Sequence, residues 1–292
     1  MRRFALVLTP AATLLMALTA CSASAPEASG TTTSDQRLYV SIGDSYATGL
    51  SPNGTGESFA QIVAKESGLG LMNLACNGAT SADLLNEQAC EPDADGRTQV
   101  DATVDALRTG RVDLVTMVIG SNDLLEPCAV ADNPMECATE AVTGTKTNIA
   151  TALTRFREVA PDVQIVGLSY PDVFLGAWVN REFPNGEDLA RTSVTMYEGF
   201  NGEIAAEYAK FGAKFVDITN MTGGYGALTD LTQDPKYGEI PAAVAEVCTL
   251  TYYCDDTDVH PTPAGHQAIA NAIIAAGRGT PPATQSPVPP SN

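Results

Sequence analysis

The chain has 292 residues, 44% hydrophobic and 17% charged, enough for one large globular domain or two small ones. Its 16 Lys and Arg stand against 35 Asp and Glu, a formal net charge of −19. That balance excludes a nucleic-acid partner, because phosphate backbones are held by clustered Lys and Arg, and it disfavours an anionic membrane surface as a neighbour of the folded part.

The two ends read as something other than fold. Arg2 and Arg3 precede an apolar, uncharged stretch from Phe4 to Leu18, and Leu18-Thr19-Ala20-Cys21 follows. This is the pattern of an export signal over residues 1–20. Its end resembles the lipobox of bacterial lipoproteins, in which the cysteine is lipidated and becomes the new N-terminus. An ordinary secretory signal with an incidental Cys21 is the alternative. Lipidation would anchor the chain to the outer face of the bacterial cell membrane; without it the chain is secreted. The stretch is shorter than the ~20 apolar residues of a spanning helix. Residues 21–36 read as a flexible tether. The segment 279–292, with Pro281, Pro282, Pro287, Pro289 and Pro290, reads as a disordered tail. The domain is expected over 37–278.

Of the seven cysteines, Cys76, Cys90, Cys128, Cys137, Cys248 and Cys254 remain once Cys21 is set aside. An even count in an exported chain predicts three disulfides. Other connectivities are open, but sequential pairing (Cys76–Cys90, Cys128–Cys137, Cys248–Cys254) closes three short loops and is the expectation. No C-x-x-C occurs and neither histidine stands at zinc-like spacing from these cysteines, so no metal site is expected.

Within the domain, Arg37 to Ile42 is a β-rich run ended by Gly43. Glu57 to Glu66 carries Phe59, Ile62 and Val63 at helical spacing, and Leu71 to Ala75 reads as a strand. Asp101 to Leu107 is predicted helical, with Gly110 as its stop signal. Leu114 to Ile119 is a continuous apolar run closed by Gly120, as expected for a strand covered on both faces. A helix over 145–159, a strand over 163–168, a helix over 187–209, a strand over 214–218 and a helix over 263–276 complete the series. Strands alternating with helices predict an α/β fold: a mostly parallel central sheet between two helical layers. Ligands in such sheets sit at the carboxyl ends of the strands. There the sequence places Gly43-Asp44-Ser45, Cys76-Asn77-Gly78 and Gly120-Ser121-Asn122-Asp123.

A serine in a strand-to-helix turn of an exported α/β chain points to acyl transfer. The chain has two histidines, so a Ser–His mechanism must use His260 or His266. His260 stands on a loop in Asp258-Val259-His260-Pro261, whereas His266 falls inside the last helix and reads as a surface or packing residue. The G-x-S-x-G elbow is absent; Gly167-Leu168-Ser169-Tyr170-Pro171 comes nearest, with proline in place of the last glycine. No P-loop or dinucleotide fingerprint occurs.

Val40-Ser41-Ile42-Gly43-Asp44-Ser45-Tyr46 resembles the first block of the SGNH or GDSL hydrolases. Asn73 to Thr80 is similar to their second, glycine-bearing block, Gly120-Ser121-Asn122-Asp123 to the third, and Asp258-Val259-His260-Pro261 to the last. The four blocks stand in the family's order over about 39–274. The resemblance implies a three-layer, flavodoxin-like α/β/α sandwich and a serine esterase or lipase that needs no cofactor. Ser45 would be the nucleophile and His260 the general base and acid. Ser45 N–H, Gly78 N–H and the Asn122 side chain would form the oxyanion hole. The three sequential disulfides resemble those of secreted actinobacterial esterases and lipases. The chain departs from the family where the final block usually reads Asp-x-x-His: three residues before His260 stands Thr257. Asp258 or Asp256 is the simplest orienting acid, with Asp258 taken first; Asp255 and a backbone carbonyl stay open, since spacing does not decide among them. The same acid cluster also admits a calcium reading. Val173 to Val179 is open between acyl-pocket lining and core packing. A monomer acting on a lipid or cell-envelope ester is expected; the alternatives are a carbohydrate O-deacetylase and a catalytically silent surface-binding lipoprotein on the same scaffold.

Overall fold

The computed structural model describes residues 36–90, 94–129 and 131–278. The expected export signal, Cys21, nearly all of the tether and the proline-rich tail lie outside them. Five parallel strands form the central sheet: β1 (Leu38–Gly43), β2 (Gly70–Asn73), β3 (Val112–Val118), β4 (Gln164–Leu168) and β5 (Lys214–Val216). Their order is β2-β1-β3-β4-β5. The main helices are α1 (Ser45–Thr48), α2 (Phe59–Ser67), α3 (Gln99–Arg108), α4 (Ser121–Ala129), α5 (Pro134–Val159), α6 (Gly186–Lys210), α7 (Ala242–Leu250) and α8 (Pro263–Arg278).

The continuous apolar strands serve two cores because successive side chains alternate across the sheet. Val40, Ile42, Val115, Met117 and Ile165 pack on one face with Val104 and Leu107 of α3, Leu153 and Phe156 of α5, and Tyr208 of α6. Tyr39, Leu114, Val118, Val166 and Leu168 pack on the other with Phe59 and Val63 of α2 and Ile269 and Ile273 of α8. The result is the expected α/β/α sandwich. Among the described residues no helix is long and apolar enough to cross a membrane.

The strand order also locates the crevice. From β1 the chain steps to β2 on one side, then crosses to β3 on the other, so the order reverses between β1 and β3. In open α/β sheets the ligand crevice lies outside the carboxyl ends of the strands at such a switch point. Gly43-Asp44-Ser45 and Gly120-Ser121-Asn122 leave the sheet there.

Several elements differ from the expected bounds. β2 ends at Asn73, two residues early. Helix α5 begins at Pro134 rather than residue 145, capped by Asn133, whose side chain accepts the Glu136 N–H. An antiparallel hairpin (Leu231–Asp234 with Gly238–Pro241) and α7 stand between the expected 214–218 strand and 263–276 helix, where the sequence predicts no element. The three disulfides pair sequentially, Cys76–Cys90, Cys128–Cys137 and Cys248–Cys254, with Cα separations of 5.3, 5.4 and 5.3 Å.

Candidate active site

Strand β1 must end at a glycine. Gly43 has φ +133, and a Cβ there would lie 1.9 Å from the Val118 carbonyl oxygen on β3. Buried Gln99 of α3 completes the strand end: its Oε1 accepts the Gly43 N–H at 2.8 Å and its Nε2 donates to the Gly43 carbonyl at 3.0 Å. Asp44 then caps α1, one carboxylate oxygen accepting the Tyr46 N–H at 3.0 Å and the other accepting the Tyr170 hydroxyl. Burial pushes the Asp44 carboxyl up to about 7, against the Tyr170 and Tyr46 hydrogen bonds that favour its charge. Ser45 opens α1 immediately after it, 8% exposed.

His260 meets Ser45 from the far end of the chain. Its Nε2 lies 2.9 Å from Ser45 Oγ, and its Nδ1 lies 2.8 Å from Asp258 Oδ1. The same Asp258 oxygen accepts the His260 backbone N–H at 2.9 Å. With the ring proton on Nδ1, the imidazole donates to Asp258 and accepts the Ser45 O–H; such a ring draws a proton from the hydroxyl as an acceptor carbon bonds to its oxygen. The other acids point elsewhere. Asp255 is engaged by Lys236 and the Tyr237 hydroxyl, and Asp256 is exposed. Among the described residues no group of three or more His, Cys, Asp or Glu side chains converges as metal ligands.

The other two blocks stand beside the serine turn. Asn122, in the first turn of α4, donates one Nδ2–H to the Ala79 carbonyl at 2.9 Å, which fixes the amide orientation and leaves its second N–H. Asp123 accepts both the N–H (2.8 Å) and the hydroxyl (2.6 Å) of Ser81, and Asn148 donates to that hydroxyl at 2.9 Å. These bonds tie the Gly78 turn to α4. Gly78 has φ +76, yet a Cβ there would meet nothing within 4 Å, so the left-handed turn rather than crowding calls for glycine. Asn73 Nδ2 donates to the Ala47 carbonyl at 2.8 Å and Thr48 Oγ1 to Asn77 Oδ1 at 2.5 Å, joining the same loop to α1.

His266 stands apart from this constellation. It is 4% exposed in the first turn of α8, and its Nδ1 accepts the Phe59 N–H at 3.3 Å. Burial, with His260 as a second cause, pushes its imidazole down to about 4. Ser169 is buried and its hydroxyl accepts the Ile218 N–H at 2.7 Å, so it packs rather than reacts. Val173–Trp178 is a 3-10 helix whose Val173, Leu175 and Ala177 are buried, which is the core-packing outcome. Sequence reasoning missed Gln99, Tyr170 and the Tyr46 hydroxyl, which donates to the Val259 carbonyl at 2.5 Å.

The fold has known counterparts. A lipase from a goat rumen metagenome superposes with a TM-score of 0.56 at 18% identity, covering 84% of this chain and 99% of that one. An extracellular lipase from Streptomyces rimosus gives 0.55 at 19% identity, covering 82% and 99%. Phospholipase A1 from Streptomyces albidoflavus gives 0.51 at 18% identity, again covering 82% and 99%. No curated protein sequence matches the chain. The profile of the GDSL-like lipase/acylhydrolase family matches residues 41–268. With that match spanning most of its length, the chain belongs to the GDSL-like lipase/acylhydrolase family and is a carboxylic ester hydrolase.

Proposed function

We propose that this protein cleaves acyl esters through a covalent intermediate on Ser45. The observation that carries the reading is the hydrogen-bonded series Ser45 Oγ, His260 Nε2, His260 Nδ1 and Asp258 Oδ1, at 2.9 and 2.8 Å. Ser45 Oγ attacks the carbonyl carbon while its proton passes to His260 Nε2. Asp258 holds the ring in the tautomer that accepts this proton and stabilises the imidazolium that results. Ser45 N–H, Gly78 N–H and the second Asn122 Nδ2–H stabilise the oxyanion. His260 returns the proton to the leaving alkoxide. Water, deprotonated by the same ring, then attacks the acyl-serine and frees the acid and Ser45.

An exported setting is part of the proposal, with Cys21 as lipid anchor. It is supported by the signal-like first 20 residues and by three disulfides, which persist in oxidising compartments. An anchored enzyme would meet acyl lipids and cell-envelope esters, and the structural counterparts, which include an extracellular lipase and a phospholipase A1, support that substrate class.

Mass spectrometry of the protein after a fluorophosphonate probe tests the nucleophile. A single adduct on the peptide carrying Ser45, lost in Ser45→Ala, is expected; labelling elsewhere or none overturns the reading. A p-nitrophenyl ester series then reads the acyl class. Turnover that peaks on medium or long chains supports a lipid ester, and a peak at acetyl would instead make the enzyme a deacetylase.

A further inference from the structure

Thr257 occupies the position three residues before His260, and it stands at φ +54, a left-handed conformation that a β-branched residue rarely adopts. Such a conformation persists where its surroundings over-determine it. Here they do so from a segment 77 residues away. Asn180, 6% exposed and just beyond the 3-10 helix, donates from Nδ2 to the Tyr253 carbonyl at 2.8 Å and to Thr257 Oγ1 at 3.0 Å. The Thr257 hydroxyl in turn donates to Glu182 Oε2 at 2.9 Å, and Asn180 Oδ1 accepts the Glu182 N–H at 3.0 Å. The phenyl rings of Phe174 and Phe183 flank Tyr253 at 5.9 and 5.8 Å and seat the same loop on the 3-10 helix.

The left-handed residue ends the Tyr253–Asp256 turn, its N–H closing onto the Tyr253 carbonyl at 3.2 Å. The chain then leaves in a new direction, and the next residue, Asp258, is the one whose carboxylate meets the ring. The Thr257 side chain is committed to Asn180 and Glu182 and turned to another task. The departure from Asp-x-x-His therefore has a structural counterpart in Asn180 and its partners.

We propose that Asn180 is a positioning residue for ester hydrolysis, holding through Thr257 the left-handed turn that presents Asp258 to Nδ1 of His260. The proposal rests on the Ser45–His260–Asp258 reading given under Proposed function. It assigns Asn180 no contact with substrate. Its loss therefore lowers kcat and leaves KM where it was.

Steady-state kinetics on the fastest p-nitrophenyl ester test this with Asn180→Ala, Thr257→Val, Thr257→Ser, Asp258→Ala and the Asn180→Ala/Asp258→Ala double variant. Asn180→Ala and Thr257→Val should each lower kcat by about 10- to 100-fold with KM unchanged, the scale of a displaced catalytic group. Thr257→Ser, which keeps the hydroxyl, should restore most of the Thr257→Val loss. In the Asp258→Ala background Asn180→Ala should cost nothing further, since both act through one carboxylate. Independent, additive losses, a rise in KM alone, or failure of Thr257→Ser to recover what Thr257→Val loses would overturn the role of Asn180 while leaving the Asp258 assignment standing. An Asp258→Ala enzyme that turns over at the parental rate would overturn both. Should Asn180→Ala not fold, the Thr257→Val and Thr257→Ser pair decides the matter alone.

Discussion

The hydroxyl of Tyr46, the residue after Ser45, donates at 2.5 Å to the carbonyl of Val259, the residue before His260. One hydrogen bond thus couples the two chain segments that carry the proposed reacting pair, across 213 positions of sequence. The Tyr46 ring is held independently, edge-on to Tyr170 with centroids 4.9 Å apart. Tyr46→Phe therefore keeps the packing and removes only the clasp. Kinetics of this variant should show kcat down by roughly 10-fold, with KM little changed and a loss of about 1 kcal/mol in stability, the net worth of one hydrogen bond. A kcat at the parental level would show that the loop carrying His260 is held well enough without it.

Asn122 is the side-chain donor of the proposed oxyanion hole, and its amide is fixed by the Ala79 carbonyl. Asn122→Ala should lower kcat by about 10²- to 10³-fold, the usual cost of one oxyanion donor. Substrate affinity in the ground state should barely move, because the donor serves charge that develops only in the transition state. A variant that loses affinity but retains kcat would make Asn122 a binding residue instead.

The acids near His260 separate cleanly. Asp258→Ala removes the carboxylate at Nδ1 and should cost at least ~10²-fold in kcat, in line with the loss of tautomer control. Asp255 is paired with Lys236 on the surface and touches neither Ser45 nor His260 in the hydrogen-bond network, so Asp255→Ala should stay within a few-fold of the parent. Equal losses in both variants would point to a shared loop effect rather than to one orienting group.

The contrast between these residues shows what the sequence makes legible. The central strands are readable because their apolar runs are continuous and end at Gly43 and Gly120, positions where the backbone demands glycine. Ser45, Gly78, Asn122 and His260 are readable because each stands at a strand or loop end in a short polar motif. The first eleven residues of α5 are not, because Gly144 and a run of small polar residues mask the helical period, although Asn133-Pro134 and Glu136 are a capping signal that could have revealed the start. Gln99, Tyr46 and Asn180 escape for a different reason. Their partners lie 56, 213 and 77 residues away, and no local spacing encodes such contacts. The choice among Asp255, Asp256 and Asp258 is of this second kind: it depends on the left-handed backbone at Thr257, which a threonine does not announce.

Asp172 gives the molecule a pH dependence that can be isolated. It is fully buried at the start of the 3-10 helix, accepting the Phe174 N–H at 3.2 Å and the Ser193 hydroxyl at 2.7 Å. Burial pushes its carboxyl up to about 7, only partly opposed by those hydrogen bonds. An unfolded Asp titrates near ~3.9, so between the two values the native state holds the extra proton. Its contribution to stability is therefore complete below about 4 and is lost as pH rises through about 7. Buried Asp44 slopes the same way, whereas His266, pushed down to about 4, contributes stability that is lost as pH falls towards that value. Comparing Asp172→Asn with the parent cancels the other groups. The asparagine oxygen still accepts the Phe174 N–H, and its amide donates to Ser193, whose own proton goes to the Ala190 carbonyl at 3.0 Å. Thermal melts should give similar Tm values near pH 4 and an advantage of several degrees for Asp172→Asn by pH 8, at about 2–4 °C per kcal/mol for a domain of this size. A Tm difference that stays flat across that range would mean that Asp172 is ionised throughout.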